Sequence, residues 1–411
     1  MTHTSSFAHP TDPGQTPGST PSARLGDSRV SRRAALASLG ALALLPIGLQ
    51  AAAAYPGDSS QAETPTQAIR SYDDMIRELR KIEHTSRGRV TVTTLAEVGT
   101  AETHSEQGRD LYVAQVGQGD RHVWIQGRIH GDEPYGVEAT LAVLKELGSS
   151  GQQTAELLRD EFTLHIIPMY NPDGSEMNTR TTTLWDTEAD APRTDDDGRE
   201  LTVDLNRDWT LEGFLARESR AWYEYWTMVR PSYALDIHHQ GRKRDPETGE
   251  PITFSLGISL APGGPTLPDI RDGEFDVLTR QMASQVWLDT RHRGHISTDR
   301  YDVGGGQVID IRGGVVSAMM LGLDWQGLNS AGHANAAIFF ETSGNTRDGD
   351  LGQRGRGRFI QQNILGVESW LAGLATGDTV DLDPQTWDEI PHAPVEYYFT
   401  DWGGVIPIDD V

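Results

Sequence analysis

The sequence predicts an α/β fold built on a mixed, largely parallel central sheet with helices on both faces. Three observations lead there. Short β-rich runs alternate with helical spacing through most of the chain, no internal repeat is visible, and 411 residues with 36% hydrophobic content suffice for a large buried core. The strand signals are Val90–Thr94, Asp110–Val116, Val123–Gln126, Phe162–Met169, Tyr233–Ile237, Phe254–Ser259 and Ala336–Phe340. Between them, helical spacing is expected over residues 66–82, 134–147, 214–229, 275–289 and 359–371. In the second of these, Pro134 sits near the first turn, where a missing N–H costs nothing, Val137, Leu141 and Leu144 share a face, and Gly148 signals the stop.

The flanks read differently. Residues 1–30 are rich in Ser, Pro, Thr and Gly, a composition that cannot bury enough surface to order itself. Ser31-Arg32-Arg33 then precedes the apolar run Ala34–Leu49 and the small residues Ala51–Ala54. That pattern resembles a twin-arginine export signal, with a mature start near Tyr55. A membrane-spanning helix would need about 20 solidly apolar residues, and Pro46 and Gly48 interrupt this run. The expected organisation is a signal with a disordered leader over 1–54, a linker over 55–68, a catalytic domain over 69–375 and a tail over 376–411 packing on the domain. The Asp- and Thr-rich stretch 179–199 reads as a long surface excursion, a candidate active-site rim.

Composition narrows the chemistry. A formal net charge of −25 argues against nucleic acid and anionic membrane surfaces as partners. The absence of cysteine removes thiolate catalysis, disulfides and Cys-based metal sites, so any metal must be held by His and carboxylates. The strongest local signal is Gly127-Arg128-Ile129-His130-Gly131-Asp132-Glu133-Pro134, which runs off a strand toward a helix. A His and a Glu three residues apart can converge on one cation, and carboxyl ends of strands are where ligands collect in open α/β sheets. Further along come Asn171-Pro172-Asp173-Gly174, read as a tight turn, with Arg180 six residues beyond it. Asp204-Leu205-Asn206-Arg207-Asp208-Trp209, Asp236-Ile237-His238-His239 and Phe340-Glu341-Thr342 complete the series.

Taken in order, these five segments resemble those of the zinc carboxypeptidase family, the carboxypeptidase A and B type, over roughly residues 75–375. The resemblance implies a bacterial exported hydrolase: a zinc-dependent metallocarboxypeptidase binding one Zn²⁺ per chain and cleaving a peptide bond beside a free C-terminal carboxylate. It implies His130, Glu133 and His238 as metal ligands, with a fourth position left for water. His239 is the alternative to His238, disfavoured because the family's ligand lies two residues after a residue such as Asp236 and neighbouring strand side chains face opposite ways. Glu341 matches the family's general base, the alternative being a carboxylate in a structural ion pair. Arg180 matches the arginine that polarises the scissile carbonyl, with Arg193 as fallback. Asn206 and Arg207 match the pair that holds the substrate carboxylate, unless Arg207 merely pairs with Asp204 or Asp208.

One feature departs from the family pattern. Digestive-type members carry a tyrosine ahead of an Asp-Trp pair that precedes the base; Asp324-Trp325 matches the pair, but no tyrosine lies between Tyr301 and Glu341. The tyrosine is therefore absent or replaced by Tyr301, and Leu323 would sit near the floor of a pocket favouring neutral side chains. This departure leaves room for a zinc amidase or deacylase acting on cell-wall peptides or N-acyl amino acids. A non-catalytic binding protein on the same scaffold is the remote alternative. The expected partner is a peptide or peptide-like substrate, with no stable membrane insertion after signal removal; oligomeric state is not readable.

Overall fold

The computed structural model describes residues 69–392, apart from residues 211–212, 242, 246, 259, 262–263, 266–273, 302–313 and 345–351, together with two short strands at Tyr397–Phe399 and Val405–Pro407. The signal-like segment 1–54 and the linker 55–68 lie outside the described residues.

Eight strands form the central sheet: β1 Val90–Thr94, β2 Tyr112–Gly117, β3 Arg121–Gly127, β4 Phe162–Ile167, β5 Tyr233–Gln240, β6 Phe254–Gly257, β7 Thr298–Arg300 and β8 Ala336–Ser343. Their spatial order is β1-β2-β4-β3-β5-β8-β6-β7. The middle of the sheet, β4-β3-β5-β8, is parallel, as is β6 with β7; β1 with β2, β2 with β4 and β6 with β8 are antiparallel. The mixed, largely parallel sheet expected from the alternation is therefore present. Its central strands carry unbroken buried runs, such as Val123–Ile125 and Ala336–Ile338, because both faces are covered.

The longer helices are α1 Tyr72–Thr85, α2 Tyr135–Ser149, α3 Gln153–Glu161, α4 Pro172–Met177, α5 Arg217–Val229, α6 Glu274–Thr290, α7 Val315–Leu321 and α8 Gly352–Thr376, with single turns at Leu95–Val98 and Thr386–Glu389. Side-chain contacts assign them to faces. The Trp124 ring meets Trp222 and Tyr225 of α5, whereas Gly136 of α2 abuts Ile237, and Gly366 of α8 abuts Phe340 and Phe254. Trp124 is level with Ala234, so Trp124, Gln126, Asp236 and His238 share the α5 face; Ile237 and His239 point to the α2 and α8 face.

Local chemistry sets several boundaries differently from the sequence expectation. α1 begins at Tyr72 because the Ser71 side chain accepts the Asp74 N–H and caps it, and its buried stripe is Met75, Leu79 and Ile82. α2 runs through Gly148 to Ser149. Asn171-Pro172-Asp173-Gly174 is the start of α4 and not an isolated turn: Asn171 Oδ1 accepts the Gly174 N–H and Pro172 takes the first helical position. The helix expected from Phe214 starts at Arg217, and α8 extends from Gly352 to Thr376, past the expected domain boundary at 375.

The 179–199 excursion is held by two short antiparallel ladders, Thr182–Thr183 with Thr202–Val203 and Trp185–Asp186 with Ala191–Pro192. Buried Glu106 pins it by accepting the backbone N–H groups of Trp185 and Arg217. Beyond α8, residues up to 392 lie on the domain: Trp387 and Ile390 are buried, and Gln281 of α6 donates to the carbonyls of Val380 and Leu382.

Candidate metal centre and catalytic site

The site grows from the carboxyl ends of β3, β5 and β8. At the end of β3, Gly127 passes so close to Gly136 that an added Cβ would lie 3.1 Å from the Gly136 carbonyl carbon. Arg128 then turns the chain through a left-handed conformation, φ 57°. The following loop presents His130 and Glu133 before α2 begins. It presses against α4: a Cβ on Gly131 would stand 2.0 Å from the Gly174 carbonyl carbon, so only glycine fits. Asn171 fastens the same loop from α4, its backbone N–H donating to the Arg128 carbonyl and its Nδ2 to the Ile129 carbonyl.

From β5, His238 reaches the same point. Nδ1 of His130 lies 2.8 Å from Glu133 Oε1, and Nδ1 of His238 lies 3.2 Å from both His130 Nδ1 and Glu133 Oε2. Each residue is 3% exposed. His130, Glu133 and His238 are the one group of His, Asp or Glu among the described residues whose donor atoms converge as a metal set would. Tetrahedral ligands at about 2.0–2.1 Å from zinc stand about 3.3 Å apart, so the trio is already spaced for the ion.

The far nitrogens of both rings are anchored. His130 Nε2 lies 3.2 Å from Asp204 Oδ1, and His238 Nε2 lies 2.8 Å from Asp236 Oδ2, which also accepts Gln126 Nε2. With those nitrogens protonated toward carboxylates, both Nδ1 lone pairs face the shared point. Burial alone would lower the His238 pKa, but Asp236 and Glu133 raise it well above the ordinary value. Burial would likewise raise Glu133 and Asp204, yet the His130 charge, joined by His238 for Glu133 and by Arg180 for Asp204, holds both well below the usual carboxylate range. A divalent cation would replace the protons that these imidazoles otherwise share with the acids.

Glu341 stands next to His238 across the β5–β8 ladder and so points to the same face. Its Oε2 is buried and accepts no hydrogen bond. Burial first, and then the Glu133 charge, raise its pKa to about 7 against the lowering effect of His238, His130 and Arg180. No ion pair holds it in a purely structural role among the described residues.

Arg180 donates from Nε and Nη2 to Asp204 Oδ2 at 2.9 and 2.8 Å, and its Nη1 stands 3.3 Å from His130 Nδ1 and 3.8 Å from Glu133 Oε1. Arg193, by contrast, is exposed on the excursion. Asp204 caps the turn Leu205–Arg207, which carries Asn206 to 3.4 Å from His238 Nε2, while Asn206 Oδ1 accepts the Val315 N–H at the start of α7. Arg207 donates to the Asn206 carbonyl and makes no ion pair with Asp204 or Asp208; Asp208 instead accepts the N–H groups of Leu215 and Ala216. His239 lies on the opposite face, its ring 4.7 Å from that of Tyr135, so it does not join the trio.

Tyr301 packs edge-on against Phe339, and its phenol is raised far above the ordinary value, chiefly by burial and then by Glu341, with Arg207 and Arg180 opposing. The structure thus brings to the site a tyrosine 40 positions ahead of Glu341. Trp325 stacks on Phe214, and the Leu323 carbonyl accepts the Tyr223 hydroxyl. Asp204, as the partner of both His130 and Arg180, was not singled out from sequence; the available signal was an Asp two residues ahead of Asn206 in the Asn-Arg pair.

Residues 79–249 match the zinc carboxypeptidase family, a span that contains His130, Glu133 and His238. That segment belongs to the zinc carboxypeptidase family. The chain is 42% identical over 52 residues to the probable carboxypeptidase 2 of Trichophyton verrucosum (strain HKI 0517), covering 13% of this chain and 10% of the relative. It is 30% identical over 117 residues to the human carboxypeptidase N catalytic chain, covering 26% of this chain and 24% of that protein. The chain therefore spans only about a tenth of the length of the first of these curated relatives. Among solved structures it is similar to carboxypeptidase A from Helicoverpa armigera, with TM-score 0.53, 17% identity and coverage of 79% of this chain and 76% of that one. A metallo-carboxypeptidase from Burkholderia cenocepacia aligns with TM-score 0.50 at 17% identity over 76% and 70% of the two chains. These likenesses show a carboxypeptidase-like α/β fold over about three quarters of the chain.

Proposed function

We propose that this chain is a zinc-dependent metallocarboxypeptidase that hydrolyses the peptide bond next to a free C-terminal carboxylate. The observation that carries this reading is the buried, hydrogen-bond-free Oε2 of Glu341 on the same sheet face as the converging His130, Glu133 and His238. A zinc ion held there would supply a Lewis acid that polarises a carbonyl and lowers the pKa of water toward neutrality.

The remaining chemistry follows from the side chains. Glu341 Oε2 takes a proton from the attacking water and passes it to the departing amine nitrogen, a role suited to a carboxylate tuned near neutrality. Arg180, oriented by Asp204, stabilises the negative charge that develops on the scissile carbonyl oxygen. Asn206 and Arg207 bind the substrate's terminal carboxylate, for which a planar guanidinium offers two parallel donors. Tyr301, packed against Phe339, takes the place of the family's tyrosine against bound substrate in this reading.

The substrate is taken to be a peptide, and the protein is taken to be exported through its twin-arginine-like leader, a reading supported by Arg32-Arg33 and the apolar run after it. Among the described residues no helix is long and apolar enough to cross a membrane.

The test compares peptides with free and amidated C-termini, with and without a zinc chelator. Release of the C-terminal residue from free peptides only, abolished by the chelator, is the expected result. Chelator-insensitive release contradicts the proposal, as does the absence of hydrolysis. Hydrolysis confined to muropeptides or N-acyl amino acids would replace it with the amidase reading.

A further inference from the structure

Arg128 is buried to 1% exposure two residues before His130, and among the described residues it forms no ion pair. Its guanidinium is satisfied entirely by carbonyl oxygens. Nε donates to Gly131 at 3.0 Å, Nη2 to Ser175 of α4 at 3.1 Å, and Nη1 to Arg70, just ahead of α1, at 2.8 Å. A buried cation with no carboxylate in direct contact is costly to keep, and burial lowers the Arg128 pKa although Glu176, Asp132 and Glu138 favour its charge from a distance. Its backbone adds to that cost, since φ 57° is a conformation glycine adopts freely and other residues adopt at a penalty. An arginine at a position where glycine would be the easier choice points to a requirement for the side chain.

The three carbonyls belong to three separate segments. Gly131 lies in the metal loop directly after His130, Ser175 on the helix against which that loop is pressed, and Arg70 where the chain enters the domain. Arg70 is itself fixed by a two-point contact with Glu138 of α2, Nε and Nη2 each 2.8 Å from the carboxylate.

We propose that Arg128 is the positioning residue of the metal loop: by tying Gly131 to α4 and to the segment before α1, it holds His130 and Glu133 at zinc-binding spacing. This inference rests on the zinc reading above, and it makes metal affinity depend on how the chain docks at Arg70.

The experiment measures zinc affinity of metal-free protein by competition with a chromophoric chelator, together with thermal stability and the absorption spectrum of the cobalt-loaded protein. The variants are Arg128→Met, Arg128→Lys and Arg159→Met. Arg159 is the control, a second buried arginine that donates to carbonyls, those of Leu147 and Ser150, away from the metal loop. Arg128→Met is expected to weaken zinc binding roughly 10- to 100-fold, as loss of an outer-sphere support does, and to shift the cobalt spectrum, with Arg128→Lys intermediate. Arg159→Met should lower stability and leave zinc affinity unchanged. Wild-type zinc affinity and cobalt spectrum in Arg128→Met would overturn the proposal; if that variant does not fold, the same result in Arg128→Lys would do so. Wild-type protein that binds no zinc would remove the zinc reading and this inference together.

Discussion

In the proposed reaction Glu341 carries the most demanding role of any single side chain. It must be unprotonated to accept a proton, so the activity it supports is present above its pKa and is lost as pH falls through it. Burial sets that pKa at about 7 in the metal-free site, and a divalent cation alongside would draw it down. The acidic limb of kcat/KM in zinc-loaded protein is therefore expected below pH 7. Glu341→Gln, which keeps the shape and removes the base, should retain zinc and lose roughly 100- to 10,000-fold in kcat; near-normal turnover would exclude Glu341 as the base. Asp236 acts through His238, and Asp236→Asn is expected to weaken zinc binding roughly 10- to 100-fold in a chelator competition. At this scale the ligand trio was legible because two members lie three residues apart and the third ends a strand. Tyr301 was legible only as an absence elsewhere, since nothing local in Arg300-Tyr301-Asp302 ties it to a carboxylate 40 positions on.

Strand register is what turns scattered residues into a site. His238 and Glu341 are paired across β5 and β8, and Glu341 is paired with Ser255 on β6, so one row of side chains crosses three strands on the α5 face. Alternation along β5 meant that only one of His238 and His239 could reach the site, and the family's spacing after a residue such as Asp236 picked His238 before any fold was known. Element boundaries were less readable. α3 buries little beyond Ala155 and Leu158 and gives a weak stripe, and α7 is a short apolar run that periodicity cannot distinguish from a strand. The close packing of the metal loop on α4 left no sequence trace beyond Gly131 and Gly174 themselves. Gly131→Ala places a methyl 2.0 Å from backbone, so it is expected to destabilise the fold by about 1–3 kcal/mol and to weaken zinc binding. Unchanged denaturant midpoint and metal affinity would contradict that packing.

At the scale of the whole molecule, a buried histidine outside the site adds to the response to acid. His165 lies between His122 Nδ1 and the Tyr225 hydroxyl, and burial first, with the His122 charge second, lowers it to about 3. The unfolded chain takes up a proton at this residue below about pH 6.5, and the folded chain does not until about 3. Its contribution is thus fully present above 6.5 and declines by up to about 1.4 kcal/mol per pH unit as pH falls toward 3. Urea unfolding of metal-free protein between pH 4 and 7 should show a shallower acid slope for His165→Gln than for wild type; identical slopes would count against this.

The central claim is that residues from two strand ends, the loop after β3 and the end of β5, hold one divalent ion. Crystals of zinc-loaded protein measured at the zinc absorption edge test it most directly. The expected result is a single anomalous peak within about 2.0–2.2 Å of His130 Nδ1, His238 Nδ1 and a Glu133 carboxylate oxygen, with Glu341 facing the open position. A peak on other residues, or no peak with the two imidazoles turned apart, would contradict the account.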